Sequence, residues 1–232
     1  MIEIFSSAQE LARGAAEYFV ARSGEAVDRK GSFTVALSGG STPKALYQLL
    51  VDLDVPWSKT HFFWSDERHV PPDHPDSNYR MAHEAMLSRV PVPESNIHRV
   101  HGENPDAAAA ANEYEQILLP LDLILLGLGT DGHTASIFPG SEVLHETKRL
   151  VAAPWVKKLN TYRITMTLPS LNSATSVLFL VSGADKAEIV KEVLEGPKRY
   201  PAQLVQPTHG QLLWMLDEDA AAKTRISRKG AK

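Results

Sequence analysis

The chain has no cysteine among its 232 residues. That absence removes disulfides, thiolate zinc sites, Fe–S clusters and a cysteine nucleophile together, and it fits a reducing compartment. Positive charge is not in excess either: 24 Lys and Arg stand against 28 Asp and Glu, a formal net charge of −4. No global basic field draws the chain to nucleic acid or to an anionic membrane, so neither is expected as a partner. The most apolar stretch, Leu118 to Leu128, is broken by Pro120 and Asp122 and is too short to span a bilayer. The first residues carry Glu3 and lack a basic start followed by an apolar run, so the cytoplasm is the expected compartment. No G-x-S-x-G elbow occurs, which argues against a serine hydrolase of the α/β-hydrolase type.

What is present reads as a globular α/β protein. Hydrophobic residues make up 43% and charged residues 22%, which rules out general disorder. The length suits a single domain over 1–232, with residues 226–232 expected to be a frayed basic tail. Ser6 or Ser7 can cap a helix running to about Arg22. Strands are expected at 33–37, 61–64, 121–126, 149–153, 162–166, 176–181 and 211–216. Helices are expected from Pro43, over 77–89, over 104–119 and over 185–194. The segment 70–76, with Pro71, Pro72 and Pro75, reads as a loop. Strands alternating with helices predict a mostly parallel sheet.

In such sheets ligands sit beyond the carboxyl ends of the strands. Three strands here end in unusual polar sequence: SGGSTPK, SDERHVPP and GLGTDGHTAS. In the first, Gly39 and Gly40 permit a tight turn, Ser41 and Thr42 offer hydroxyls, and a helix start supplies free N–H groups. The pattern fits a phosphate cradle or a plain capped turn, and it is not a Walker A loop. In the third, Gly127, Gly129 and Gly132 match the dinucleotide fingerprint, but Pro139 and Gly140 would break the long helix it requires. What remains is Asp131 beside His133, either a carboxylate-oriented general base or a hydrogen-bonded structural histidine. In SDER, one of Asp66 and Glu67 could bind sugar hydroxyls while another pairs with Arg68; the alternative is a solvated loop. His98 and His101, and His69 and His74, lack a third ligand, so no metal site is expected. Arg163, in an isolated strand, and Lys186, at a helix start, could each reach a phosphate or lie as surface charges.

With these residues assembled, the sequence resembles the 6-phosphogluconolactonase family. The segments LSGGSTPKALY, WSDERHVPPDHPDSNYRMA, LGLGTDGHTASIFPG, YRITMTLPSLN and VSGADK carry the likeness over nearly the whole chain. The related glucosamine-6-phosphate deaminases share the Gly-rich loop and Asp-Gly-His, but a glutamate expected after the histidine is missing where this chain reads TASIFPG. The resemblance implies a three-layer αβα fold of the glucosamine-6-phosphate deaminase/ribose-5-phosphate isomerase type. It implies hydrolysis of 6-phospho-D-glucono-1,5-lactone, a small sugar phosphate lactone, without cofactor or metal, by a chain expected to be monomeric. It casts His133 as general base and Asp131 as its orienting partner. Gly39, Gly40, Ser41, Thr42, Arg163 and Lys186 would surround the phosphate, and Asp66 and Arg68 would line the lactone end. The oxyanion partner stays open between Arg68 and backbone N–H groups near Gly129 to Gly132. Two alternatives stand beside this reading: an isomerase-deaminase for an amino-sugar phosphate, and a non-catalytic sugar-phosphate sensor.

Overall fold

A computed structural model describes residues 1–226; apart from Ile226, the expected frayed tail lies outside them. In chain order the elements are β1 (Ile2–Phe5), α1 (Ala8–Lys30), β2 (Phe33–Leu37), α2 (Ser41–Leu50), β3 (Thr60–Trp64), β4 (Asp66–Arg68), α3 (Asn78–Ala85) and α4 (Ala107–Ile117). There follow β5 (Leu123–Leu126), β6 (Val151–Ala152), β7 (Trp155–Val156), β8 (Thr161–Met166), α5 (Leu168–Ser173), β9 (Ser176–Val181), α6 (Ala187–Glu195), β10 (Gln211–Asp217) and α7 (Glu218–Ala221).

Six strands form one parallel sheet in the order β1-β10-β9-β5-β2-β3. Its central strands are near-continuous apolar runs because both faces are covered. Successive side chains serve two different cores. Val35, Leu37, Leu123, Leu125, Leu178, Leu180, Leu213 and Met215 face α1, α2 and α3. Ala36, Ile124, Leu126, Val177, Phe179, Trp214 and Leu216 face the opposite side, with α4, α6 and α7. The result is three layers, as expected.

Several local expectations need correction. Helix α1 runs to Lys30, eight residues past Arg22, and ends where Gly31 adopts φ +85°, a left-handed cap that glycine takes readily. Strand β1 pairs parallel with β10 at the sheet edge; four residues are too few to show a period. The strand containing Arg163 is not isolated. It is β8, the centre of a second, antiparallel sheet that pairs with β4, β6 and β7. Asp66 to Arg68 are therefore strand rather than loop, because β8 supplies their partners.

The topology places a crevice. From β2 the chain moves outward to β3, then returns so that β5 lies on the other side of β2. The loops after β2 and β5 diverge at this point, and there an open α/β sheet leaves room for a ligand.

Candidate active site

A cleft of about 370 Å³ opens at that switch point. Its lining includes Gly39 and Gly40 after β2, Asp66 and Arg68 from β4, His133 after β5, Arg163 from β8 and Lys186 after β9. Three strand-end loops and two strands of the second sheet thus bring together most of the residues singled out in the sequence.

The loop after β5 is folded around His133. Gly129 N–H donates to the carbonyl of His133 (2.9 Å), and Gly132 N–H donates to the carbonyl of Gly129 (2.9 Å). Gly132 takes φ +78° with Tyr200 packed against it. The two glycine N–H groups are consumed by the loop itself and so are not free to bind an oxyanion. No α-helix follows before β6, only a single short turn of 3-10 helix at Glu142–His145, which removes the dinucleotide reading on structural grounds as well.

His133 Nδ1 hydrogen-bonds Oδ1 of Asp131, whose Oδ2 accepts from Nζ of Lys158. Burial raises the Asp131 carboxyl, but the hydrogen bonds from Lys158 and His133 outweigh it and hold the group well below the ordinary carboxylate range. An ionised Asp131 accepts a hydrogen bond from Nδ1–H and leaves Nε2 as the lone-pair nitrogen. The imidazole packs on Phe138 with ring centroids 4.2 Å apart.

Asp66 and Glu67 project to different tasks. Asp66 accepts from Ser136 Oγ at 2.6 Å, and Asn78 Nδ2 donates to its carbonyl at 2.9 Å. Glu67 is almost fully buried. It accepts the backbone N–H groups of Arg68, Asn78 and Tyr79, each at 2.7 Å, and the Ser77 hydroxyl at 3.1 Å. Desolvation pushes its carboxyl up in spite of those donors. Glu67 is thus the anion at the N-terminus of α3. The expected acid–Arg68 ion pair is absent: the Arg68 guanidinium donates to the carbonyl of Asp76 instead.

Arg68 and Arg163 are register partners in the antiparallel β4–β8 ladder. Like charges directly opposite one another are unfavourable. Desolvation first, then the Arg68 charge, lowers the Arg163 guanidinium. Such a pair favours an anion between or beside it.

The Gly-rich loop meets Lys186 on another side. Thr42 Oγ1 and Ser182 Oγ are 2.8 Å apart, tying the start of α2 to the turn after β9 that carries Lys186. Helix α2 begins at Ser41, two residues before Pro43, with Gly40 at φ +112° as its cap and no side chain bonded across its first turn. Ser41 and Thr42 do not line the cleft. Gly39 is required by space: a Cβ there would lie 2.0 Å from Asn78 Oδ1.

Sequence reasoning missed Ser38, Asn78, Ser136, Phe138 and Lys158, all of which line the cleft. The first four lie inside the quoted motifs, so position in a motif was a usable signal; Lys158 had none. Among the described residues no group of three or more His, Asp or Glu is arranged to hold a metal ion. His98 is engaged with His61 instead, at 3.0 Å. No helix among the described residues is long and apolar enough to cross a membrane.

The chain is similar to known proteins in sequence and in fold. Residues 6–214 match the family model described as glucosamine-6-phosphate isomerases/6-phosphogluconolactonase. A protein of Nostoc sp. named 6-phosphogluconolactonase is 44% identical, over 87% of this chain and 88% of its own. One of Synechocystis sp. with the same name is 41% identical, over 97% of this chain and 98% of its own. The crystal structure of 6-phosphogluconolactonase from Thermotoga maritima superposes with a TM-score of 0.83 at 30% identity, covering 94% of this chain and 99% of the other. The chain belongs to the glucosamine-6-phosphate isomerase/6-phosphogluconolactonase family.

Proposed function

We propose that this chain hydrolyses 6-phospho-D-glucono-1,5-lactone to 6-phospho-D-gluconate in the oxidative pentose phosphate pathway, with His133 as general base. The observation that carries the reading is that His133, hydrogen-bonded from behind by Asp131, lines a cleft that also holds Arg68, Arg163 and Lys186. The substrate has matching parts: an anionic phosphate at one end and an activated ester at the other. The relatives named as lactonases support the same choice.

In this mechanism His133 Nε2 takes a proton from a water that attacks the C1 carbonyl. The carbonyl electrons move onto oxygen, and a nearby cation stabilises the oxyanion. Arg68 is the candidate, since the Gly129 and Gly132 N–H groups are engaged within their own loop. As the carbonyl re-forms, the bond from C1 to the ring oxygen breaks, and that oxygen takes the proton back from His133. The carboxylic acid product then ionises and releases one proton. Asp131 holds the imidazole and favours its transient positive charge. A lactone is a reactive ester, so a base with charge stabilisation suffices.

At the other end, the open first turn of α2, Gly39, Gly40 and Lys186 form the phosphate cradle. The β4–β8 register favours grouping Arg163 with Arg68 rather than with Lys186. The same reading takes the chain as a single domain and a monomer, meeting its small phosphorylated substrate in the cytoplasm.

The test is acid release on mixing with freshly made 6-phosphogluconolactone, corrected for spontaneous hydrolysis. Wild type should accelerate it, and His133→Ala should lower kcat by about a hundredfold to ten-thousandfold. Near-normal turnover in a folded His133→Ala protein would remove the base from the mechanism.

A further inference from the structure

Lys158 belongs to none of the strand-end motifs. It stands on the turn Lys157–Leu159 between β7 and β8, 27 residues from Asp131 in sequence. Its Nζ contacts Oδ2 of Asp131, the oxygen His133 does not use. The same Nζ lies 4.3 Å from the centroid of the Phe138 ring, the ring on which His133 packs. Four side chains therefore close into one assembly. Asp131 joins base and ammonium on one side, and Phe138 carries both on the other.

We propose that Lys158 is a positioning residue for the hydrolysis, acting through Asp131 on His133. The proposal rests on the reading of His133 as general base. A carboxylate held at one oxygen can turn about its Cβ–Cγ bond; held at both, it presents Oδ1 to Nδ1 in one orientation. Orientation of a reacting group is worth large factors in rate. The ammonium also makes the Asp131–Lys158 pair neutral beside the imidazole. Without it, a net negative charge remains there and favours the protonated ring. The other charges facing the cleft are Arg68, Arg163 and Lys186, opposed by Asp66, and they are unchanged by replacing Lys158. Half of the Lys158 side chain is exposed, so its replacement leaves the core intact.

The experiment uses the full chain with Lys158→Met, Lys158→Arg, Asp131→Asn and the double variant Asp131→Asn/Lys158→Met. Lys158→Met should lower kcat about tenfold with KM changed less than about twofold, and Lys158→Arg should recover most of the loss. The acid limb of the kcat/KM profile should move to higher pH by about half a unit or more. In the Asp131→Asn background, Lys158→Met should change kcat by less than about twofold, because its route of action is gone. The imidazole proton resonance of His133, titrated without substrate, should shift its midpoint upward in Lys158→Met. An unmoved midpoint and acid limb would overturn the proposal. So would equal losses in both Asp131 backgrounds, or a loss carried by KM, which would put Lys158 on the substrate. A shifted midpoint in a chain whose His133→Ala variant keeps its turnover would uphold the coupling and defeat the general-base reading instead.

Discussion

Gly129 and His133 are in contact across their loop: a Cβ added at Gly129 would lie 2.0 Å from Nδ1 of the imidazole and 2.8 Å from Oδ1 of Asp131. Both atoms belong to the hydrogen bond that orients the His133 ring. Gly129→Ala is therefore expected to push the ring out of place while leaving the two cores untouched. Turnover should fall by about a hundredfold, near the lower range for losing a general base. Kinetics paired with a thermal melt checks it; wild-type kcat in Gly129→Ala would show that the ring has room to move.

The two groups of cations should separate by substrate. Lys186→Ala should cost the phosphorylated lactone at least about tenfold more in kcat/KM than unphosphorylated gluconolactone, because binding energy at the phosphate also orients the ester. Arg163, opposite Arg68, should cost both lactones alike when changed to Ala. Arg163→Lys should not restore the loss, since a point charge lacks the planar two-bond fork. A phosphate-selective loss in Arg163→Ala would return Arg163 to the phosphate site.

His61 and His98 share a hydrogen bond at 3.0 Å, and His98 stacks on Phe63 with centroids 4.4 Å apart. Desolvation lowers both imidazoles, helped by Lys30 at His61 and by His61 at His98. The unfolded chain then binds more protons than the folded one, so stability rises with pH and is lost as pH falls through about 6.5, the unfolded value. His98→Phe keeps the stack and removes the titration. Its Tm should depend less on pH between pH 7.5 and pH 5 than that of wild type, and parallel curves would contradict this.

Asp122 offers a control at the opposite end of the strands. It is buried just before β5, paired with Arg29 and Lys30 at 2.9 and 2.8 Å, and accepts the Thr34 N–H at 2.9 Å. Asp122→Ala strands that buried N–H and should destabilise the chain by about 1–3 kcal/mol. Urea unfolding measures the loss, and kcat should stay within about twofold of wild type. A large fall in kcat would mean that the two ends of the sheet are coupled.

The apolar runs of β2, β5, β9 and β10 were legible because burial on both faces leaves a plain local signal. Asp131 and His133, two residues apart, were legible as a pair for the same local reason. The Asp66 network was half legible. Both Asp66 and Ser136 sit in recognisable motifs, yet they are 70 residues apart and only folding brings them to 2.6 Å.

The amino-acid sequence by itself determined the alternation of strand and helix, the three polar strand ends and the placing of a carboxylate two residues from an imidazole. Those are set by periodicity, by glycine and proline, and by residue type within a few positions. Tertiary structure alone decided that β2 and β5 are neighbours, that Arg163 faces Arg68, and that Lys158 closes on Asp131. Strand order and register are long-range choices, made by which faces must be buried together and not by any nearby residue. A lysine on an exposed hairpin turn carries no local mark until the sheet beneath it brings the carboxylate into reach.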